Sequence, residues 1–127
     1  RKAVELEPES FSANKELGEA LARTGDPAAA RPYYEKASAL NPDDPDVHYN
    51  LGLCLNAGGD AQGALSQYEA AVRIKPDFAE PYYEMGTVLI GQNRVPDAVA
   101  ALQKFLELAP NHEKAAVAKQ LLDYLKK

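Results

Sequence analysis

Residues 45–78 read PDVHYNLGLCLNAGGDAQGALSQYEAAVRIKPDF. Two helical patterns lie in this stretch, joined by Gly58-Gly59-Asp60. Val47, Leu51, Cys54 and Leu55 make one apolar stripe at helical spacing, and Ala64, Tyr68, Ala71 and Val72 make a second. Neither stripe can be buried by one helix pair alone. The segments before and after repeat the pattern. Pro8, Pro42, Pro76 and Pro110 stand 34 residues apart, and Gly18, Gly52, Gly86 and Ala30, Ala64, Ala98 keep the same step. A large apolar residue precedes each of those glycines (Leu17, Leu51, Met85), and Tyr34, Tyr68 and Leu102 share one position. A fixed period in this range marks an array of stacked helical units.

Working outward, residues 11–23 form the first helix of a unit, with Ser10 as its N-cap. Thr24-Gly25-Asp26-Pro27 ends it, and a second helix runs to Leu40 through Pro32, where a local kink is expected. The next pairs are expected over 45–57 and 61–74, then 79–91 and 95–108, with Pro81 and Pro96 in first turns. Residues 1–7, RKAVELE, read as the latter part of a preceding second helix, with Ala3 and Leu6 on its apolar side. That makes eight helical segments in all and no strand. It also predicts an apolar seam at the N-terminal end, open to end-to-end self-association. Residues 113–127 leave the pattern, since Lys119-Gln120 replace Leu-Gly. Val117, Leu121, Tyr124 and Leu125 are expected to face the core, with Glu113, Lys114, Gln120, Asp123 and Lys127 outside, as a terminal cap requires. The domain organisation is thus a single array: 1–10 the end of a truncated repeat, 11–44, 45–78 and 79–112 three full repeats, and 113–127 a capping helix.

The run Leu51-Gly52, Leu55, Ala64, Tyr68, Ala71 and Pro76 resembles the tetratricopeptide repeat, a 34-residue helix–turn–helix unit. The tryptophan position of that family holds Asn14, His48 and Tyr82 here. The resemblance implies an all-α, right-handed helical-repeat solenoid of antiparallel helix pairs. It also implies that the first (A) helix of each pair lines a concave face.

At 127 residues one domain is expected, and 46% hydrophobic with 26% charged residues is an ordinary globular composition. A net charge of −5 argues against a nucleic-acid partner, and no apolar run is long enough for membrane insertion. The lone Cys54 cannot form an internal disulfide, which leans towards a reducing, cytoplasmic compartment. No phosphate-loop motif, nucleophile elbow or metal-ligand spacing is present. His48 beside Asp43, Asp44 and Asp46 reads as a helix start, where acids suit the dipole. Cys54 reads as a packed core residue. No cofactor, no metal and no catalysis are expected.

Opposite the core stripes, the A helices present candidate partner-binding residues: Lys15 and Glu19; Asp46, Tyr49, Asn50 and Leu53; Glu80, Tyr83, Glu84, Thr87 and Ile90. With Glu16 and Arg23 this face carries two cations against five carboxylates, a net −3. The expected partner is a protein or peptide segment with positive charge and an apolar or aromatic anchor. One branch of the family grips acidic chaperone tails with two Lys, two Asn and an Arg. Only Lys15 and Asn50 match that pattern; Glu19, Glu80 and Glu84 oppose it. Other readings are a spacer within a longer array, with binding elsewhere, and an accessory domain of a larger enzyme.

Overall fold

A computed structural model of the protein describes residues 10–126. Among them are seven α-helices and no strand: α1 (Phe11–Arg23), α2 (Pro27–Leu40), α3 (Pro45–Ala57), α4 (Ala61–Ile74), α5 (Glu80–Gly91), α6 (Val95–Leu108) and α7 (Ala115–Leu125). The helical segment expected over residues 1–7, and with it Ala3 and Leu6, lies outside the described residues. The chain falls into two compact units, Arg1–Ile74 and Lys75–Lys127. In the first, α1 packs on α2, α2 on α3 and α3 on α4; in the second, α5 packs on α6 and α6 on α7.

Local chemistry sets the helix ends. Ser10 Oγ accepts from Ala13 N (3.2 Å), Asp26 Oδ1 from Ala29 N (3.0 Å), Asp44 Oδ1 from Val47 N (3.0 Å) and Asp60 Oδ1 from Gly63 N (2.8 Å). Each bond satisfies a backbone donor that the first helical turn leaves over. The A helices close on one recurring turn, with Gly25 (φ +86°), Gly59 (φ +90°) and Asn93 (φ +60°) at the left-handed position. In the first turn Gly25 N donates to Ala22 O (3.0 Å) and Asp26 N to Leu21 O (3.1 Å). Those two bonds define a Schellman cap. Gly59/Asp60 and Asn93/Arg94 repeat it at the 34-residue step. Asparagine tolerates the left-handed region better than other non-glycine residues, so the third turn keeps the geometry.

Packing inside each pair depends on bare glycines. A Cβ on Gly52 would stand 2.5 Å from Cε1 of Tyr68; on Gly18, 2.9 Å from Cε1 of Tyr34; on Gly86, 2.7 Å from Cδ2 of Leu102. Tyr34, Tyr68 and Leu102 are among the most buried residues, beside Ala30, Ala64 and Ala98. The small residues let the ring or leucine of one helix lie directly on the backbone of its mate.

Two positions differ from the sequence reading. Helix α5 starts at Glu80, with Ala79 as its N-cap in the αR region and no side-chain cap bond, so the boundary moves by one residue. Helix α7 starts at Ala115 and turns Ala115, Ala118 and Leu122 inward, while Leu121 and Leu125 pack at the edge of that core. Val117 (43% exposed) and Tyr124 (71% exposed) face outward. Close approach to α6 favours the narrow alanine face over the bulkier stripe expected to be buried. Helix α2 runs on through Pro32 without interruption.

Candidate functional site

In the first unit α1 and α3 frame an open cleft of about 340 Å³ lined by Glu19, Ala22, Arg23, Tyr34 and Asn50. Glu19, Arg23 and Asn50 belong to the A-helix face identified in the sequence, and Ala22 stands beside them on α1. The fifth, Tyr34, comes from α2 and forms the floor. Its phenol pKa is raised well above the ordinary range, first by burial and then by the carboxylate of Glu19; Arg23 pulls weakly the other way. The hydroxyl therefore stays protonated beside a carboxylate and a guanidinium. A side-chain amide, an acid and a guanidinium thus converge on a partly apolar hollow.

Lys15 stands away from the cleft. Its Nζ lies 3.1 Å from Oδ2 of Asp44 and 3.7 Å from Oδ2 of Asp46. Burial alone would lower the lysine pKa; the hydrogen bond and charge of Asp44, with Asp46 and Glu19, outweigh it and raise it. Asp44 uses its other oxygen to cap α3, so the pair fastens α1 to the start of α3. Tyr49 leans on Tyr68, ring centres 6.0 Å apart. Leu53 is half-buried.

His48, in the family's tryptophan position, is buried with Nε2 2.6 Å from Pro42 O and Nδ1 2.7 Å from Gln67 Oε1. Both ring nitrogens are engaged. Asn14, one repeat earlier, is fully buried and donates from Nδ2 to Ser10 O (2.8 Å). No group of three or more His, Cys, Asp or Glu among the described residues could hold a metal ion.

In the second unit the candidate residues on α5 meet the segment that follows α6. His112 Nε2 lies 3.4 Å from Glu80 Oε2, and Lys114 Nζ lies 3.5 Å from Glu84 Oε2. The same ammonium sits 4.9 Å from the ring centre of Tyr83, which is tilted against Phe105 at 5.3 Å. Thr87 Oγ1 donates to Glu84 O (2.8 Å), within its own helix. Ile90, named above as a candidate binding residue, packs with Tyr83 on the core formed by Ala79, Leu102, Phe105, Ala118 and Leu122. The sequence count of −3 therefore leaves out His112 and Lys114, which face two of the five carboxylates. A 34-residue register would have pointed to both, because it aligns them with Asp44 and Asp46.

No helix among the described residues is long and apolar enough to cross a membrane. No curated protein matches the sequence. Solved structures do. The type III secretion translocator chaperone SycD of Yersinia enterocolitica superposes with a TM-score of 0.86 at 16% identity, covering 94% of this chain and 85% of its own. YrrB, described as a TPR protein with an unusual peptide-binding site, matches at 29% identity and a TM-score of 0.82 over 88% of this chain and 58% of its own. The first TPR of Spaghetti (RPAP3), bound to the HSP90 peptide SRMEEVD, matches at 21% identity and a TM-score of 0.82 over 91% of this chain and 90% of its own. Family models described as tetratricopeptide repeat match residues 1–45 and 15–77, and a further one residues 55–122. With the 34-residue period, the seven helices and the glycine-seated rings, these matches place the chain in the tetratricopeptide repeat family.

Proposed function

We propose that the protein is a non-catalytic interaction module that holds a segment of a partner protein against its A helices, with the cleft between α1 and α3 as the principal contact. The observation that carries this reading is the cleft itself. Asn50 can accept from and donate to a peptide backbone, and Glu19 offers a carboxylate to a basic side chain. Ala22, above the buried Tyr34, gives an apolar anchor somewhere to rest. The related folds support the class of partner: SycD is known in complex with a peptide of the translocator YopD, and the Spaghetti domain with an HSP90 peptide.

The preferred segment carries a positive charge. Around α1 and the start of α3, Glu16, Glu19, Asp44 and Asp46 face Lys15 and Arg23, and Lys15 is already paired with the two aspartates. An acidic chain terminus would meet repulsion there, so acidic tail peptides bind poorly. Affinity is modest and falls with salt, because Glu16, Arg23 and Asp46 are exposed and Glu19 is only half-buried.

The test is a titration of a basic amphipathic peptide library against wild type, Glu19→Gln and Asn50→Ala. Losing one hydrogen bond to a charged group costs about 1.5–3 kcal/mol, so the Glu19 variant should bind roughly tenfold more weakly or worse. Equal binding by all three proteins, each still helical, would refute the cleft as the site and leave the spacer reading.

A further inference from the structure

We infer that the outer side of α5 is a notch for a lysine ammonium of a partner, held shut by the chain's own Lys114. The inference rests on the interaction-module reading but concerns a second site, within the second unit. Three groups define the notch. The Tyr83 ring is backed by Phe105, Lys114 Nζ lies 4.9 Å from its centre, and Glu84 Oε2 lies 3.5 Å from the same nitrogen. The Glu84 side chain is only 15% exposed, whereas Lys114 is 44% exposed. A carboxylate so far withdrawn from water needs a positive partner. Ring and carboxylate are fixed, while the ammonium is the exposed and exchangeable member.

The contrast with Lys15 supports treating this pairing as exchangeable. In the 34-residue register Lys15 corresponds to Tyr83, and Asp44 and Asp46 correspond to His112 and Lys114. Lys15 meets Asp44 at 3.1 Å, within hydrogen-bond range, and Asp44 also caps α3. That ion pair is built into a helix start. Lys114 meets Glu84 at the longer 3.5 Å and stands before α7 without a side-chain cap bond. Its backbone is secured separately: Lys114 N donates to His112 Nδ1 (3.1 Å), and the His112 ring stands edge-on to Phe105 at 5.2 Å. The side chain can leave the notch while the turn beneath it stays in place. An entering lysine would exchange one ammonium for another over the same ring and carboxylate, combining a cation–π contact with an ion pair.

A built-in competitor lowers apparent affinity by the fraction of time that the notch is free; if Lys114 fills it nine-tenths of the time, its removal strengthens binding about tenfold. The experiment is an NMR titration of wild type, Lys114→Ala and Lys114→Gln with the tripeptide acetyl-Ala-Lys-Ala-amide and with its uncharged norleucine counterpart, following the amides of α5. Both variants should bind the lysine tripeptide about tenfold more tightly than wild type, with no response to norleucine. Adding Glu84→Gln to Lys114→Ala should remove the gain. Two variants guard against a local folding defect in either one. Unchanged or weaker lysine binding in both, or an equal gain for norleucine, overturns the inference. The basic library is run on the same proteins: binding at Glu19 and Asn50 without a gain at α5 refutes the notch and spares the cleft. A gain at α5 without binding at the cleft does the opposite.

Discussion

Gly52→Ala probes the contact on which the helix pairs are built. The added Cβ would lie 2.5, 2.8 and 3.1 Å from Cε1, Cδ1 and Cζ of Tyr68, well inside the roughly 3.5–4.0 Å of a relaxed carbon–carbon contact. Tyr68 is fully buried and has no solvent side to retreat to. Forcing a methyl group into such a core costs about 1–3 kcal/mol, while alanine in place of glycine returns about 1 kcal/mol of helix propensity. With a 2.5 Å approach to a ring that cannot move aside, the upper half of that range applies, and about 2–3 kcal/mol less about 1 leaves a net loss of about 1–2 kcal/mol, or a Tm lower by about 4–8 °C at this chain length. Gly91→Ala is the control. It also lies in a helix, but its Cβ would meet nothing within 4 Å, so it should gain up to about 1 kcal/mol. Thermal and urea unfolding followed by circular dichroism at 222 nm would read both. In a Tyr68→Leu background the cost of Gly52→Ala should shrink by about 1 kcal/mol, because the neighbouring sites are coupled. A Gly52→Ala protein as stable as wild type, or the same response at positions 52 and 91, would refute the close approach of ring and backbone.

Other consequences follow from the buried and paired groups. Lys15 and Tyr34 both have raised folded-state pKa values, so their contributions are fully present below the unfolded values and are lost as pH rises through the folded ones. Stability should therefore fall in alkaline solution above the ordinary tyrosine and lysine range, and less steeply in Lys15→Met; a flat alkaline profile would count against both assignments. Burial, chiefly, raises the Cys54 pKa. Its thiol should react with Ellman's reagent roughly tenfold or more slowly in the native protein than in urea, and equal rates would show that it is accessible. Asp60→Ala removes the cap on Gly63 N and should cost about 1 kcal/mol in the same unfolding assay.

Sequence reading succeeded where the controlling chemistry is local. Ser10, Pro27, Pro45, Gly25 and Gly59 act on their own backbone, and α1 to α4 start and stop where those residues put them. Asn93 does the work of glycine in the third repeat, and its φ of +60° shows why. Reading was weaker where tertiary choice decides. Helix α7 carries two adjacent apolar stripes, and hydrophobic bulk favoured Val117 and Tyr124 over the alanines that the core selects. At the candidate site, residue type and helix face brought Glu19 and Asn50 to one cleft, but the floor comes from Tyr34 of the neighbouring helix. The pairings of Lys15 with Asp44 and of Lys114 with Glu84 join residues about 30 positions apart on different elements, and composition cannot choose among the many acids available. Ile90 was placed on the binding face because nothing in its own helix reveals the core at α6 and α7 that it packs against.

Whether the cleft between α1 and α3 holds a partner segment can be read from two-dimensional ¹H–¹⁵N NMR of the protein titrated with the tightest peptide from the basic amphipathic library. Saturable shifts are expected, concentrated at Glu19, Ala22, Arg23 and Asn50, including the Asn50 side-chain amide, and diminished by added salt. Saturable shifts confined to α2 and α4 away from the cleft, or no shifts from a peptide shown to bind, would contradict it.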